Sequence, residues 1–188
     1  MKSLTLFKHL QENYKDYLYE KALPIISKHN ESLLNPCSVA VSIYRIQRQL
    51  FKKHRNNEKF QELQKILSMI QRVFCNCEIY YTAEIGNNFL LVHAFGTVIG
   101  SGVKIGNNCT IYHNVTLGTK YDTDKNKCKI EDNVIIYAGA KVLGDIVIEE
   151  NSVIAANSVI IKSVPNNQVW GGIPGKKINN NISPKYKL

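Results

Sequence analysis

Apolar residues keep two incompatible rhythms along this chain. Up to about residue 75 they recur every three or four positions, the period of one face of an α-helix. The stretch 38–54, "SVAVSIYRIQRQLFKKH", puts Val39, Ile43, Ile46 and Leu50 on one face. The stretch 56–74 does the same with Phe60, Leu63, Ile66, Leu67, Ile70 and Phe74, and Asn56 or Asn57 is placed to cap it. A weaker helix is predicted over 5–27, interrupted by Pro24, with a loop-like link before the next helix.

From residue 78 the helical period is lost and a six-residue step replaces it. The steps run Ile79, Ile85, Leu91; then Ile99, Ile105, Ile111, Leu117; then Ile130, Ile136, Val142, Ile148, Ile154, Ile160. Small or apolar residues follow many of them four positions on, with Asn or Gly often between, as in "IGNNCT" and "IAANSV". Six residues make a short strand and a tight turn, and three such units close a triangular coil. Aliphatic side chains point inward and stack on the coil above, while Asn and Gly supply turn conformations with positive φ. The pattern predicts an α+β chain: an N-terminal helical module (1–76), a left-handed parallel β-helix (77–169) and a C-terminal tail (170–188).

The step fails twice. Leu91 to Ile99 is eight residues, and His93 lies within that gap. Leu117 to Ile130 is thirteen, and the excess is the polar loop "TKYDTDKNKCK". Insertions in a solenoid leave the coil and tend to build its binding face. Prolines and glycines in "VPNNQVWGGIPGKKI" are expected to stop the coil.

Composition adds limits. The chain of 188 residues is 44% hydrophobic, enough to bury a core. No segment approaches a membrane span and the N-terminus lacks the apolar run of a signal peptide, so a cytoplasmic location is expected. Five cysteines with no CxxC pair are expected to be free thiols. A net charge of +9 suits a polyanionic partner, but no nucleic-acid-binding motif accompanies it.

Several segments carry a resemblance to the serine acetyltransferase family of hexapeptide acyltransferases. They are "YRI" (44–46), "CEIYYTAEIG" (77–86), "HAFGTVIG" (93–100), "VTLG" (115–118), "AGAKVLGDI" (138–146) and "VPNNQVWGGIPGKK" (164–177). The resemblance implies transfer of acetyl from acetyl-CoA to a hydroxyl, with no covalent acyl-enzyme and no metal. It implies homotrimers, or hexamers through the helical part, with sites in the grooves between β-helices.

A hydroxyl needs a base as it attacks a thioester, and histidine titrates near neutrality. His93 stands where the family has its catalytic base. Glu78 aligns with the supporting acid, which fixes the imidazole tautomer. His113, inside an unbroken hexad, is a candidate substrate contact. Ala138, Gly139, Ala155, Ala156 and Gly172 are candidates to line the pantetheine arm, and Lys176 and Lys177 to meet the phosphates. His9, His29 and His54 read as structural.

The family's serine pocket does not carry over. The aspartate before its histidine is Val92 here, and its Arg-His pair corresponds to Asn126 and Lys127. Its upstream Asp-Pro motif has no counterpart. Lys125 or Lys127 could replace the arginine, and Asp122 and Asp124 lie in the same loop. The acceptor is therefore either L-serine or a sugar hydroxyl, as in capsule or lipopolysaccharide decoration. The tail "PKYKL" lacks the family's terminal isoleucine, so docking to cysteine synthase is not expected. A zinc carbonic anhydrase on this fold needs three histidines, and the repeat region holds His93 and His113 alone. A non-catalytic solenoid is the remaining alternative.

Overall fold

The computed structural model describes residues 12–14, 35–54, 56–121 and 127–180. Residues 12–14 are helical; the rest of the helix predicted over 5–27 lies outside the described residues. The two strong helical stripes form α1 (Pro36–His54) and α2 (Glu58–Cys75). Asn57 caps α2 by accepting from the Lys59 N–H, and Asn76 ends it with φ 49°.

The buried stripe of α2 departs from the apolar one. Leu63, Gln64, Leu67, Gln71 and Cys75 are buried, whereas Phe74 is 72% exposed. A polar residue can hold a core position when its hydrogen bonds are met. Gln71 donates to the Ala40 carbonyl and accepts from the Ile79 N–H at 2.7 Å, tying both helices to the first strand. Gln47 and Gln64 each donate Nε2–H to the other's backbone carbonyl between the helices, while their buried Oε1 atoms have no partner among the described residues.

Residues 78–180 form fifteen short strands. In chain order they are β1 (Glu78–Ile79), β2 (Glu84–Ile85), β3 (Leu90–Leu91), β4 (Val98–Ile99), β5 (Lys104–Ile105), β6 (Thr110–Ile111), β7 (Thr116–Gly118) and β8 (Lys129–Ile130). Then come β9 (Ile135–Ile136), β10 (Lys141–Leu143), β11 (Val147–Ile148), β12 (Val153–Ile154), β13 (Val159–Ile160), β14 (Gln168–Gly171) and β15 (Lys176–Asn180). Every third strand shares a sheet. The first sheet runs β1-β4-β7-β10-β13, the second β2-β5-β8-β11, and the third begins β3-β6-β9-β12-β14. All these pairs are parallel, and the three sheets are the walls of a left-handed β-helix.

The hexad residues are the inner wall. Ile79 pairs with Ile99, Ile99 with Leu117, Leu117 with Val142, and Val142 with Ile160. All five are essentially inaccessible, and each such side chain contributes about 1.5–3 kcal/mol by leaving water. The same pairs show both breaks as long rungs: Ile79 to Ile99 and Leu117 to Val142 exceed the eighteen-residue rung of Val142 to Ile160.

The corners follow the asparagines. Among the described residues nine non-glycine positions have positive φ, and eight of them are Asn. Asn tolerates this left-handed region better than other side chains. Between the second and third sheets, Asn88 Nδ2 donates to Asn108 Oδ1 at 2.9 Å, and Asn108 Nδ2 to Asn133 Oδ1 at 3.2 Å.

The helical module closes the first coil. The Arg45 guanidinium donates to the Ile85 and Gly86 carbonyls, both at 2.6 Å. Tyr44 Oη donates to the Ala83 carbonyl and accepts from the Ile85 N–H. At the other end, the third sheet continues through Gly171, and β15 folds back antiparallel on β14.

Candidate active site

The first break in the rhythm can be located from backbone pairing. Val92 N–H bonds the Ile111 carbonyl, so coils are in step up to Val92. They are in step again at Phe95, whose carbonyl accepts from Asn114 N–H. The two extra residues are therefore His93 and Ala94 themselves. Among the described residues His93 is the one non-asparagine with positive φ outside glycine, at 52°, and its side chain is exposed. A strained backbone at a non-glycine residue is kept where the surroundings over-determine it. Ala94 supplies that anchor: its side chain is buried, and its N–H donates to Cys37 Sγ at 3.2 Å.

One coil on, the same corner holds His113, directly above Phe95. The two imidazoles meet with centroids 5.9 Å apart and planes at 65°. His113 is half-buried, and its Nδ1 is buried with no hydrogen-bond partner among the described residues. Phe95 below it is 54% exposed. Val92 and Tyr112 lie one position earlier, and Tyr112 stacks on Tyr137 of the next coil at 5.0 Å.

Above His113 the column turns small. Gly139 N–H bonds the His113 carbonyl and Asn157 N–H bonds the Ala138 carbonyl, so His113, Ala138 and Ala156 stand in one line. Gly139 has φ 76°, and a Cβ there would meet Asn157 Oδ1 at 2.1 Å. Ala155 lies against Gly171, beside the exposed Gly172. Lys176 and Lys177 are exposed on β15, at the far end of the third sheet.

Glu78 lies on β1 beside β4, half-buried. Its Oε1 accepts from Arg72 of α2 at 2.6 Å, and no hydrogen bond joins it to His93. The Arg72 contact was not anticipated: the turn at Asn76 brings the end of α2 back over the strand that follows it.

The polar loop leaves at a different corner. It joins the first sheet to the second, at the opposite end of β7 from His113. Lys127 packs there over Gly102; Asn126, Lys125, Asp124 and Asp122 lie outside the described residues. Within one chain, the two breaks do not share a corner.

All five cysteines are free, and burial pushes the Cys77 thiol up to about 12. Among the described residues no cluster of three or more His, Cys, Asp or Glu side chains is placed to hold a metal ion, and no helix is long and apolar enough to cross a membrane.

Comparison with known proteins points one way. The family described as bacterial transferase hexapeptide (six repeats) matches residues 127–162. A serine acetyltransferase of Staphylococcus xylosus is 44% identical over 137 residues, covering 72% of this chain and 61% of that one. The structure of a Brucella abortus strain S19 serine acetyltransferase in complex with coenzyme A superposes with a TM-score of 0.72 at 26% identity, over 94% of this chain and 73% of that one. A Neisseria gonorrhoeae serine acetyltransferase in complex with serine gives 0.71 at 28% identity, over 93% and 69%. The chain spans about three-fifths of the length of the curated relatives it matches.

Proposed function

This chain belongs to the serine acetyltransferase family of hexapeptide-repeat proteins, and we propose that it transfers acetyl from acetyl-CoA to an acceptor hydroxyl, with His93 as general base. The observation that carries this reading is the inserted His93–Ala94 pair. It lifts an imidazole out of an otherwise regular corner and holds it exposed at positive φ.

The chemistry follows from that placement. The acceptor oxygen attacks the thioester carbon as His93 takes its proton; collapse of the tetrahedral species expels the CoA thiolate, which recovers the proton. Glu78 is the supporting acid. Arg72 occupies its Oε1, which leaves Oε2 to receive an N–H of His93 as the filled site tightens. Ala138, Gly139, Ala155, Ala156 and Gly172 leave room for the pantetheine arm, and Lys176 and Lys177 meet its phosphates. A relative solved with coenzyme A supports this partner.

The site is completed in a homotrimer. The exposed Phe95 beneath His113 is covered by a neighbouring β-helix, whose polar loop brings Lys127 to the groove. This supplies what one chain lacks, since its own loop leaves at another corner.

Two acceptors divide the observations. L-Serine is supported by relatives of that activity, one solved with serine. A sugar hydroxyl is supported by Val92, apolar beside the base, and by the stacked Tyr112 and Tyr137, which offer an aromatic face and no charge. Acetyl-CoA consumption against L-serine, other amino acids, sugars and nucleotide sugars separates them. Turnover with serine at millimolar concentration excludes the sugar reading, and turnover only with a saccharide excludes serine. No turnover with any acceptor would overturn acyl transfer itself.

A further inference from the structure

We infer that the cleft between α1, α2 and the first coil is a regulatory site for a small aromatic carboxylate, which activates the enzyme by drawing Arg72 off Glu78. The inference rests on the acyl-transfer reading above and adds a ligand site whose lining includes neither His93 nor His113.

The cleft holds about 430 Å³, a volume typical of small-molecule sites. One side is aromatic. Phe51 of α1 meets Tyr81 of the first coil with centroids 5.3 Å apart, and His54 stacks on Phe60 at 4.1 Å. The other side is a row on α2. Lys65, Ser68 and Arg72 follow one another at helical spacing, so they are neighbours on one face. Among the described residues no carboxylate lines the cleft, and Lys65 forms no ion pair. Ser68 Oγ accepts from Gln47 Nε2 at 2.8 Å, which leaves its own proton to give. A negative group held over Ser68 therefore meets a hydroxyl donor with a cation on either side, and a ring attached to that group lies against aromatic faces. A planar carboxylate on an aromatic body satisfies both sides, and a guanidinium is the side chain best shaped to receive it.

One side chain links the cleft to the chemistry. Arg72 lines the cleft and also donates to Glu78 Oε1 at 2.6 Å. Glu78 is the proposed supporting acid, and while Arg72 holds it, no hydrogen bond joins it to His93. A guanidinium that turns to a carboxylate in the cleft releases Oε1 and leaves the whole charge of Glu78 to His93. The ion pair is open to water, with side-chain exposures of 52% for Arg72 and 24% for Glu78, so exchanging one carboxylate for another costs little. Arg72 is thus a positioning residue that acts through Glu78. Its release changes kcat by no more than such a pair is worth, about two- to fivefold.

The test uses the full chain with benzoate as the probe, benzamide as its uncharged counterpart and inorganic phosphate as charge without a ring. Calorimetry reads binding and acetyl-CoA consumption reads turnover. Benzoate is expected to bind at millimolar concentration and to raise kcat about two- to fivefold with KM for acetyl-CoA unchanged, whereas benzamide and phosphate do neither. Lys65→Gln is expected to weaken benzoate binding by about fivefold and leave basal kcat unchanged. Glu78→Gln should keep the binding and lose the activation, and Arg72→Ala should show the raised kcat without benzoate. Benzoate that does not bind, or that binds Lys65→Gln equally well, overturns the site. Binding with wild-type kcat unmoved, activation that persists in Glu78→Gln, or a lowered kcat in Arg72→Ala overturns the link to Glu78. Calorimetry needs no turnover, so an enzyme inert toward every acceptor overturns acyl transfer and its regulation while binding still decides the cleft.

Discussion

Two corners of the same coil turn on the same kind of positive-φ row but surround it with different side chains. Between the second and third sheets, Asn88, Asn108 and Asn133 adopt positive φ and pass hydrogen bonds from amide to amide up the stack. Between the third and first, Gly96, Asn114, Gly139 and Asn157 take the positive-φ row, and His93 and His113 stand beside it, with a buried His113 ring nitrogen that has no partner among the described residues. The first corner spends its polar groups on itself, its exposed amides linked one to the next. The second withholds them. A solenoid made of near-identical turns reveals its working face where that self-satisfaction stops.

The contrast is tested most severely at His93. His93→Ala is expected to reduce acetyl transfer by about 10³-fold, within the range that a general base contributes. The melting temperature should hold or rise, because alanine removes no buried contact; steady-state kinetics and calorimetry report the two sides. A variant that loses stability in step with activity would mean that this corner, too, is structural.

The reciprocal change is Asn108→Leu. It forces a branched side chain to φ 55° and breaks two amide bonds, for a cost of roughly 2–3 kcal/mol. A fall in melting temperature of about 5–10 °C follows, with kcat of the folded enzyme unchanged. Next in size is Glu78→Gln, which keeps the shape of the side chain but removes the charge proposed to steady His93. A loss of about tenfold in kcat is expected, small because Arg72 shares the carboxylate. An Arg72→Ala enzyme with lowered kcat would instead make the ion pair itself the support.

The smallest effect is chemical. Burial raises the Cys75 thiol, and holds Cys77 and Cys128 at about 12 and Cys109 at about 11. These four stay protonated at pH 8 and should resist a thiol reagent until the chain unfolds. Cys37, half-buried, is expected to react first, and its modification should disturb Ala94 and slow turnover by a few fold. Counting titrated thiols in native and denatured protein gives the result directly.

Much of the architecture was legible because the six-residue step is a direct image of the coil. Each hexad aliphatic from Ile79 to Ile160 faces inward, and both breaks appear as long rungs. The helices were legible too, but not all of their faces. Spacing put Phe74 in the stripe, whereas the buried line runs through Gln71, a residue whose burial depends on partners in α1 and β1 that no helical period reveals. At the site, His93 could be picked out, yet eight residues between two aliphatics do not say which pair is extra; only pairing between coils does. Cys37, Arg72 and the Tyr112–Tyr137 stack were invisible for the same reason, being contacts across turns of the chain.

A stack of identical rungs has no natural last member. The ladder that joins one coil to the next would accept a coil from another molecule just as readily, and such a contact propagates into a filament. Arg45 bears on that hazard. By taking the Ile85 and Gly86 carbonyls, on β2 and just past it at the rim of the second sheet, its fork denies an incoming strand the acceptors it would need. With Tyr44 holding the Ala83 carbonyl and the Ile85 N–H beside it, the guanidinium fills the edge groups that end-to-end pairing would use.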